Sequence, residues 1–149
     1  MNGWLLDTNV VSELRKPHCH PKVKAWADAQ RPTSFHLSRI TLAEIRYGIE
    51  LRADGPFRDE LQSWLDGTLR PWFADRILDL DEDTILVWRR LVALGKAANH
   101  TFAQPDLFIA ATALVHGLCV VTRNIDDFIR AKAPVLDPWN DAATESPQP

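Results

Sequence analysis

The sequence predicts an α/β domain with a short parallel central sheet flanked by many helices. Three observations carry that expectation. Apolar runs of only three or four residues recur at 4–6, 35–38, 77–80, 118–121 and 134–136. Longer stretches of helical periodicity separate them, too long for hairpin turns, so the strands run parallel. One of those stretches, 107–115 (LFIAATALV), is apolar nearly all round, which marks a helix buried on most sides.

Trp4, Leu5 and Leu6 make the first strand, which ends at Asp7. Residues 8–16 read as a helix stopped by Pro17. Residues 21–30 read as another, with Pro21 at its first position and Val23, Trp26 and Ala27 on one face. The strand at 35–38 leads into a helix at 41–52, striped by Leu42, Ile45 and Ile49. Residues 57–72 continue helical through Leu61, Trp64, Leu65 and Leu69 until Pro71 breaks the pattern. A brief strand at 77–80 precedes a long helix at 83–99, with Ile85, Trp88 and Val92 in line. Gly117 stops the buried helix, 118–121 forms a buried strand, and 134–136 is the last strand. Residues 1–140 read as a single domain. Residues 141–149 (DAATESPQP) have the small, polar, Pro-bearing composition of a flexible tail.

Composition excludes several classes of protein. The chain has 149 residues, 46% hydrophobic and 25% charged, which suits one globular domain. Lys and Arg number 17 against 20 Asp and Glu, a net charge of -3. That balance argues against binding nucleic acid through bulk positive charge; a chain of this kind that handles RNA or DNA does so locally, through a basic rim or a metal ion. The opening MNGWLLDTNV lacks a cationic segment and places Asp7 in its apolar stretch, so no signal peptide is expected. The longest uncharged run, 107–122, is interrupted by His116 and Gly117 and falls short of the ~20 residues of a membrane span. Cys19 and Cys119 form neither a CxxC nor a disulfide framework, and the cytoplasm is the expected location. There is no GxxxxGK[ST], no GxGxxG after a strand, no GxSxG and no HExxH. A receiver domain would need paired early acids and a Lys after a late strand. Here Asp7 stands alone and Arg123 follows Thr122.

The acids are informative by position. Asp7 closes the first strand, Glu44 lies in the first turn after the second, and Asp106 follows Pro105 at the start of the buried helix. Asn124 and Asp127 follow the strand Cys119-Val120-Val121. Ligands in open α/β sheets bind outside the carboxyl ends of the strands. Singly, each group has a structural explanation. Asp7 can cap a helix, Thr41 and Glu44 match a capping box, Asp106 suits a helix dipole, and Asn124 with Asp127 makes another cap. Together they weigh differently: either the acids do not converge, or a cation sits among them, because carboxylates converging to ~5 Å repel by about 3 kcal/mol per pair at a dielectric near 20. A cap contributes only ~1 kcal/mol. Convergence therefore requires a cation. Carboxylates without His or Cys suit Mg²⁺ or Mn²⁺, whose usual work in such sites is phosphoryl transfer.

Five segments in order, LLDTNVVSEL (5–14), SRITLAEIRYGI (38–49), PDLFIAATAL (105–114), VVTRNIDDF (120–128) and PVLDPW (134–139), span nearly the whole chain. On these the chain resembles the PIN-domain nucleases, specifically VapC-like toxins of bacterial toxin–antitoxin pairs. The resemblance implies an Mg²⁺-dependent endoribonuclease with a PIN-like fold. It places catalytic roles on Asp7, Glu44, Asp106 and Asp127, with Asp7 and Asp106 holding the metal and Glu44 orienting the attacking water or acting as base. Many relatives have an acid where this chain has Asn124, so Asn124 or Asp127 fills the fourth position, with Asp126 a weaker candidate, and a second metal site is weak or absent. Thr8, Asn9 and Thr122 support the network. The resemblance also implies a cognate antitoxin that masks the site with a cationic side chain, a homodimer, and operator DNA reached only through the antitoxin. The alternative is a catalytically inert PIN-like module that acts through protein partners.

Arg15, Lys16, Arg39, Arg46 and Arg123 lie near the acidic edge and are candidates for RNA phosphates. Trp26, Trp64 and Trp88 fall at helical core spacing and are expected in packing or an interface rather than as base-stacking platforms. His18, Cys19 and His20 sit between prolines with no fourth ligand and read as surface.

Overall fold

The structure is a computed structural model that describes residues 2–140; the expected tail at 141–149 lies outside the described residues. Five strands, β1 (Trp4–Leu6), β2 (Phe35–Ser38), β3 (Ile77–Leu78), β4 (Cys119–Val121) and β5 (Val135–Leu136), form one parallel sheet in the order β3-β2-β1-β4-β5. β1 is central, with Trp4 opposite Phe35 of β2 and Leu5 and Leu6 opposite Val120 and Val121 of β4. Successive residues of a strand point to opposite faces. Trp4, Leu6, Phe35, Leu37 and Val121 accordingly enter one core, and Leu5 and Val120 another.

The first core is covered by α1 (Thr8–Arg15), α2 (Pro21–Asp28), α3 (Arg39–Glu50) and α4 (Pro56–Trp64), through Val10, Trp26, Ile45 and Leu61. A wide π-helical turn at Leu65–Leu69 and the single turn α5 (Arg70–Trp72) extend α4 past Pro71, where the sequence predicts a break. Arg70 N–H reaches back five residues to Leu65 O. That wider turn gives room to a proline ring that would otherwise crowd the carbonyl four residues earlier.

The second core is covered by α6 (Glu82–Ala97), α7 (Gln104–His116) and α8 (Asp126–Arg130). Leu107, Ile109, Ala110, Ala111 and Ala113 of α7 are buried, as the all-round apolar pattern predicts. α7 begins three residues before its apolar run, because Pro105 fits a first turn whose N–H groups lack helical partners. It ends at Gly117, whose φ of +66° is the left-handed conformation that glycine tolerates.

Two expected caps are not formed. Ser38, the last residue of β2, caps α3 by accepting from Ile40 N–H at 3.1 Å, so the helix starts at Arg39 without a loop. Glu44 consequently lies in the second turn and not the first. Thr41, expected in a capping box, is buried with its hydroxyl lacking a hydrogen bond among the described residues. The Asn124–Asp127 cap is also absent: α8, which the periodicity does not predict, has Ile125 at its N-cap position and no side-chain cap.

Candidate active site

β1 and β4 end side by side, and the backbone ladder continues one step as Asp7 N–H donates to Val121 O at 3.0 Å. This brings Asp7 against Thr122. Asp7 Oδ2 accepts from Thr122 Oγ1 at 2.8 Å, and Oδ1 accepts from Thr8 N–H at 2.8 Å. Thr122 Oγ1 receives Asn9 Nδ2 and Asn124 N–H, each at 3.1 Å, and Asn9 Oδ1 accepts from Arg123 N–H at 3.2 Å. Thr8, Asn9, Thr122 and Asn124 thus join one network, Thr8 and Asn124 through their backbone. Asp7 is only 6% exposed. Burial raises its carboxyl above the usual range, opposed by the hydrogen bonds from Thr122 and Thr8.

Asp106 is the third residue of α7 and is half-buried. Among the described residues no hydrogen bond reaches its carboxylate. Its pKa is pushed up to about 6, by burial first and then by the charges of Asp7, Asp127 and Glu44. The structure therefore brings the four acids into one electrostatic neighbourhood around Asp106.

Glu44 is exposed on α3, at a groove of about 290 Å³ that it shares with Thr8, Ser12, Arg15 and Lys16. Asp127 is differently placed. Its Oδ1 pairs with His100 Nε2 at 2.9 Å and its Oδ2 accepts from Ala103 N–H at 3.0 Å. Nothing in the sequence marks His100: it stands in an aperiodic loop, 27 positions from its partner, and no motif signals it.

The basic residues divide. Arg15 lies in the Glu44 groove with its guanidinium 5.9 Å from the Trp64 ring centre, and Arg123 packs 5.2 Å from that of Trp139. Arg46 is exposed on α3. Arg39 is tied to Asp79 beyond β3 by an Nε–Oδ1 contact of 2.5 Å, away from Asp7. Among the tryptophans, Trp26 is fully buried, Trp64 packs against the first core, and Trp88 stacks on Phe108 at 4.7 Å. His20 caps α2 through Nδ1, with His18 and His20 exposed and Cys19 partly buried between them.

Among the described residues no three His, Cys, Asp or Glu side chains form a cluster that encloses a metal ion unaided. Asp7 and Asp106 nonetheless fit Mg²⁺, which binds through one or two carboxylates and keeps several waters. Their oxygens are hard donors, and Asp106 carries a charge that three neighbouring acids oppose and no described hydrogen bond offsets.

A parallel sheet of order β3-β2-β1-β4-β5, with Asp7 directly after its central strand and Asp106 under the charge of Asp7, Asp127 and Glu44, defines an α/β domain with an acidic neighbourhood. The PIN domain family model matches residues 4–134, and the chain belongs to that family. Within it the chain is a VapC-like member. It is similar to Toxin FitB of Neisseria gonorrhoeae, 38% identical over 92% of this chain and 99% of the toxin. The VapC ribonuclease Y4jK of Sinorhizobium fredii is also 38% identical, over 93% of this chain and 99% of its own. Among solved structures, FitAcB from Neisseria gonorrhoeae aligns with a TM-score of 0.86 and 37% identity, covering 92% of this chain and 99% of that one.

Proposed function

We propose that this chain is the toxin of a toxin–antitoxin pair: an endoribonuclease that hydrolyses RNA phosphodiester bonds with Mg²⁺, or Mn²⁺, held by Asp7 and Asp106. The observation that carries this reading is the Asp106 carboxyl, raised to about 6 by burial and by Asp7, Asp127 and Glu44. Perturbed groups of this kind concentrate at reactive sites. Bound there, the cation supplies positive charge to the phosphate and activates the attacking water.

The chain's own residues do the rest. Thr122 and Thr8 N–H fix the Asp7 carboxylate, and Asn9 fixes Thr122 from the other side. Glu44 is exposed and free to accept the proton of the attacking water. Arg15, Arg46 and Arg123 contact phosphates along the strand, which positions RNA without reading its sequence.

The partner is a cognate antitoxin that sets a cationic side chain among the four acids. The toxin works as a homodimer in the cytoplasm, and operator DNA is reached only through the antitoxin. The similar FitAB structure is described as bound to an IR36 DNA fragment. Among the described residues no helix is long and apolar enough to cross a membrane.

The test is cleavage of total cellular RNA with Mg²⁺ by the wild type and by Asp106→Asn. Cleavage abolished by EDTA and by the substitution, at matched thermal stability, is the expected result. A folded wild type that neither cleaves RNA nor gains thermal stability from Mn²⁺ overturns the reading in favour of an inert binding module.

A further inference from the structure

We infer that His100 and Asp127 form a positioning pair that sets the start of α7, and with it Asp106, and that Asp127 itself touches neither metal nor substrate. The inference rests on the active-site reading above and changes the role of one of its acids.

Ala103 is the residue before α7. Its carbonyl accepts the first helical hydrogen bond, from Leu107 N–H at 3.0 Å, so its place fixes the turn that carries Asp106. α7 has no side-chain cap of its own. Its Ala103 N–H is instead satisfied at 3.0 Å by Asp127, from the first turn of the neighbouring α8. The other oxygen of Asp127 holds His100, three residues earlier in the same loop, at 2.9 Å. One carboxylate therefore pins the loop at two points.

The α6 side pins it as well. His100 N–H donates to Gly95 O at 2.8 Å. A methyl group built on Gly95 would lie 2.7 Å from His100 O and 2.8 Å from the Phe102 ring, so only glycine admits so close an approach. The Phe102 ring is buried and meets the His100 ring edge to face at 4.7 Å. Both Asp127 oxygens are thus committed to a packed loop, whereas no described hydrogen bond reaches the Asp106 carboxylate. Two acids of one charge cluster divide the work, one exposed to the reaction and one holding its support.

The test compares Asp127→Asn, Asp127→Ala, His100→Ala and His100→Gln. An asparagine can accept from Ala103 N–H and donate to the neutral imidazole, so it keeps both hydrogen bonds and loses only the charge. A glutamine at 100 can donate in place of Nε2. Three quantities are read: Mg²⁺-dependent RNA cleavage, the Mn²⁺ concentration for half-maximal thermal stabilisation, and amide exchange over residues 102–107 of the metal-free protein.

The expected result is that both alanine variants weaken cleavage and the Mn²⁺ response about tenfold or more and speed amide exchange. Such losses follow when the group that orients a ligand is removed. Asp127→Asn and His100→Gln should stay within about threefold of wild type, with exchange unchanged. If Asp127→Asn fails as Asp106→Asn does while amide protection is intact, Asp127 is a ligand or catalytic group and the inference is overturned. Wild-type exchange in His100→Ala also overturns it. Should the wild type cleave no RNA and bind no Mn²⁺, the active-site reading fails, and amide exchange alone still decides whether the pair sets α7.

Discussion

The two walls of the acidic site are built in opposite ways. At the strand-end wall, Asp7 is almost fully buried and held by Thr122 Oγ1 and Thr8 N–H, with Asn9 bracing Thr122. At the helix-start wall, Asp106 is half-buried, has no hydrogen bond among the described residues, and has its pKa raised to about 6. The first carboxylate is placed by local bonds, while the second is placed by its helix and faces like charge. A cation between them, as the proposed function requires, would offset what the second wall leaves uncompensated. In the proposed function the first wall would hold its carboxylate in place and the second would gain from a metal ion.

The largest test of that contrast removes each carboxylate in turn. Asp7→Ala and Asp106→Asn should each lower Mg²⁺-dependent RNA cleavage by at least ~100-fold, the scale of losing a group that stabilises charge in a transition state. They should differ in stability. Asp7→Ala leaves Thr122 and Thr8 N–H without their acceptor and should lower Tm, whereas Asp106→Asn loses no described hydrogen bond and should not. If Asp106→Asn melts early, that side chain is structural.

Glu44→Gln should lower cleavage by about 10²-fold with little change in Tm, as removal of a general base does. An unchanged rate would take Glu44 out of the chemistry and leave it as a solvated charge on α3.

Next in size are the supports of each wall. Thr122→Val takes one donor from buried Asp7 and the acceptor from Asn9 Nδ2 and Asn124 N–H, and should cost about 1–3 kcal/mol in denaturant unfolding. Gly95→Ala overpacks the α6 face against His100 and Phe102 and should cost about 1–3 kcal/mol. The two should differ in their effect on Mn²⁺ binding: Thr122→Val disturbs the orientation of Asp7, and Gly95→Ala that of Asp106. A Gly95→Ala protein as stable as wild type would mean that the loop yields easily and does not fix α7.

The smallest effect is on pH dependence. The Asp106 pKa lies at about 6 in the folded chain against 3.8 for an ordinary aspartate, so the folded state holds this proton more tightly. The stability it contributes is complete below about pH 4 and is lost as pH rises through about 6. A tenfold change in proton affinity corresponds to about 1.4 kcal/mol. Because the group is only half-buried, solvent screening reduces the loss to about 1–2 kcal/mol. Melting curves of the metal-free protein between pH 4 and 7.5 should show it, and Asp106→Asn or added Mg²⁺ should reduce the slope, leaving in the variant the part owed to Asp7, whose carboxyl is also raised by burial. A profile identical in the variant would mean that Asp106 feels no such opposition.

The sequence by itself determined the strands, most of the helices and the place of Asp7 at the carboxyl edge of the sheet. Three-residue apolar runs and longer helical periods identified β1, β2, β4 and the helices between them, because burial on a sheet face and on a helix face imposes different spacings. The all-round apolar pattern of α7 foretold its burial, and the position of Asp7 directly after β1 placed it at the carboxyl edge. Element boundaries depended on neighbours. Ser38 could cap α3 only because β2 ended there, and Pro71 could stay helical only because the preceding turn widened. Tertiary structure alone decided which acids bond and which do not. Spacing cannot distinguish Asp106 from Asp127, since both sit in the first turns of helices near the same edge. The difference lies in His100 and Ala103, which the fold carries to Asp127, and in the burial and like charge that it concentrates on Asp106. Hydrogen bonds and repulsion between groups distant in sequence arise only once the chain is packed, and they set Asp106 and Asp127 apart.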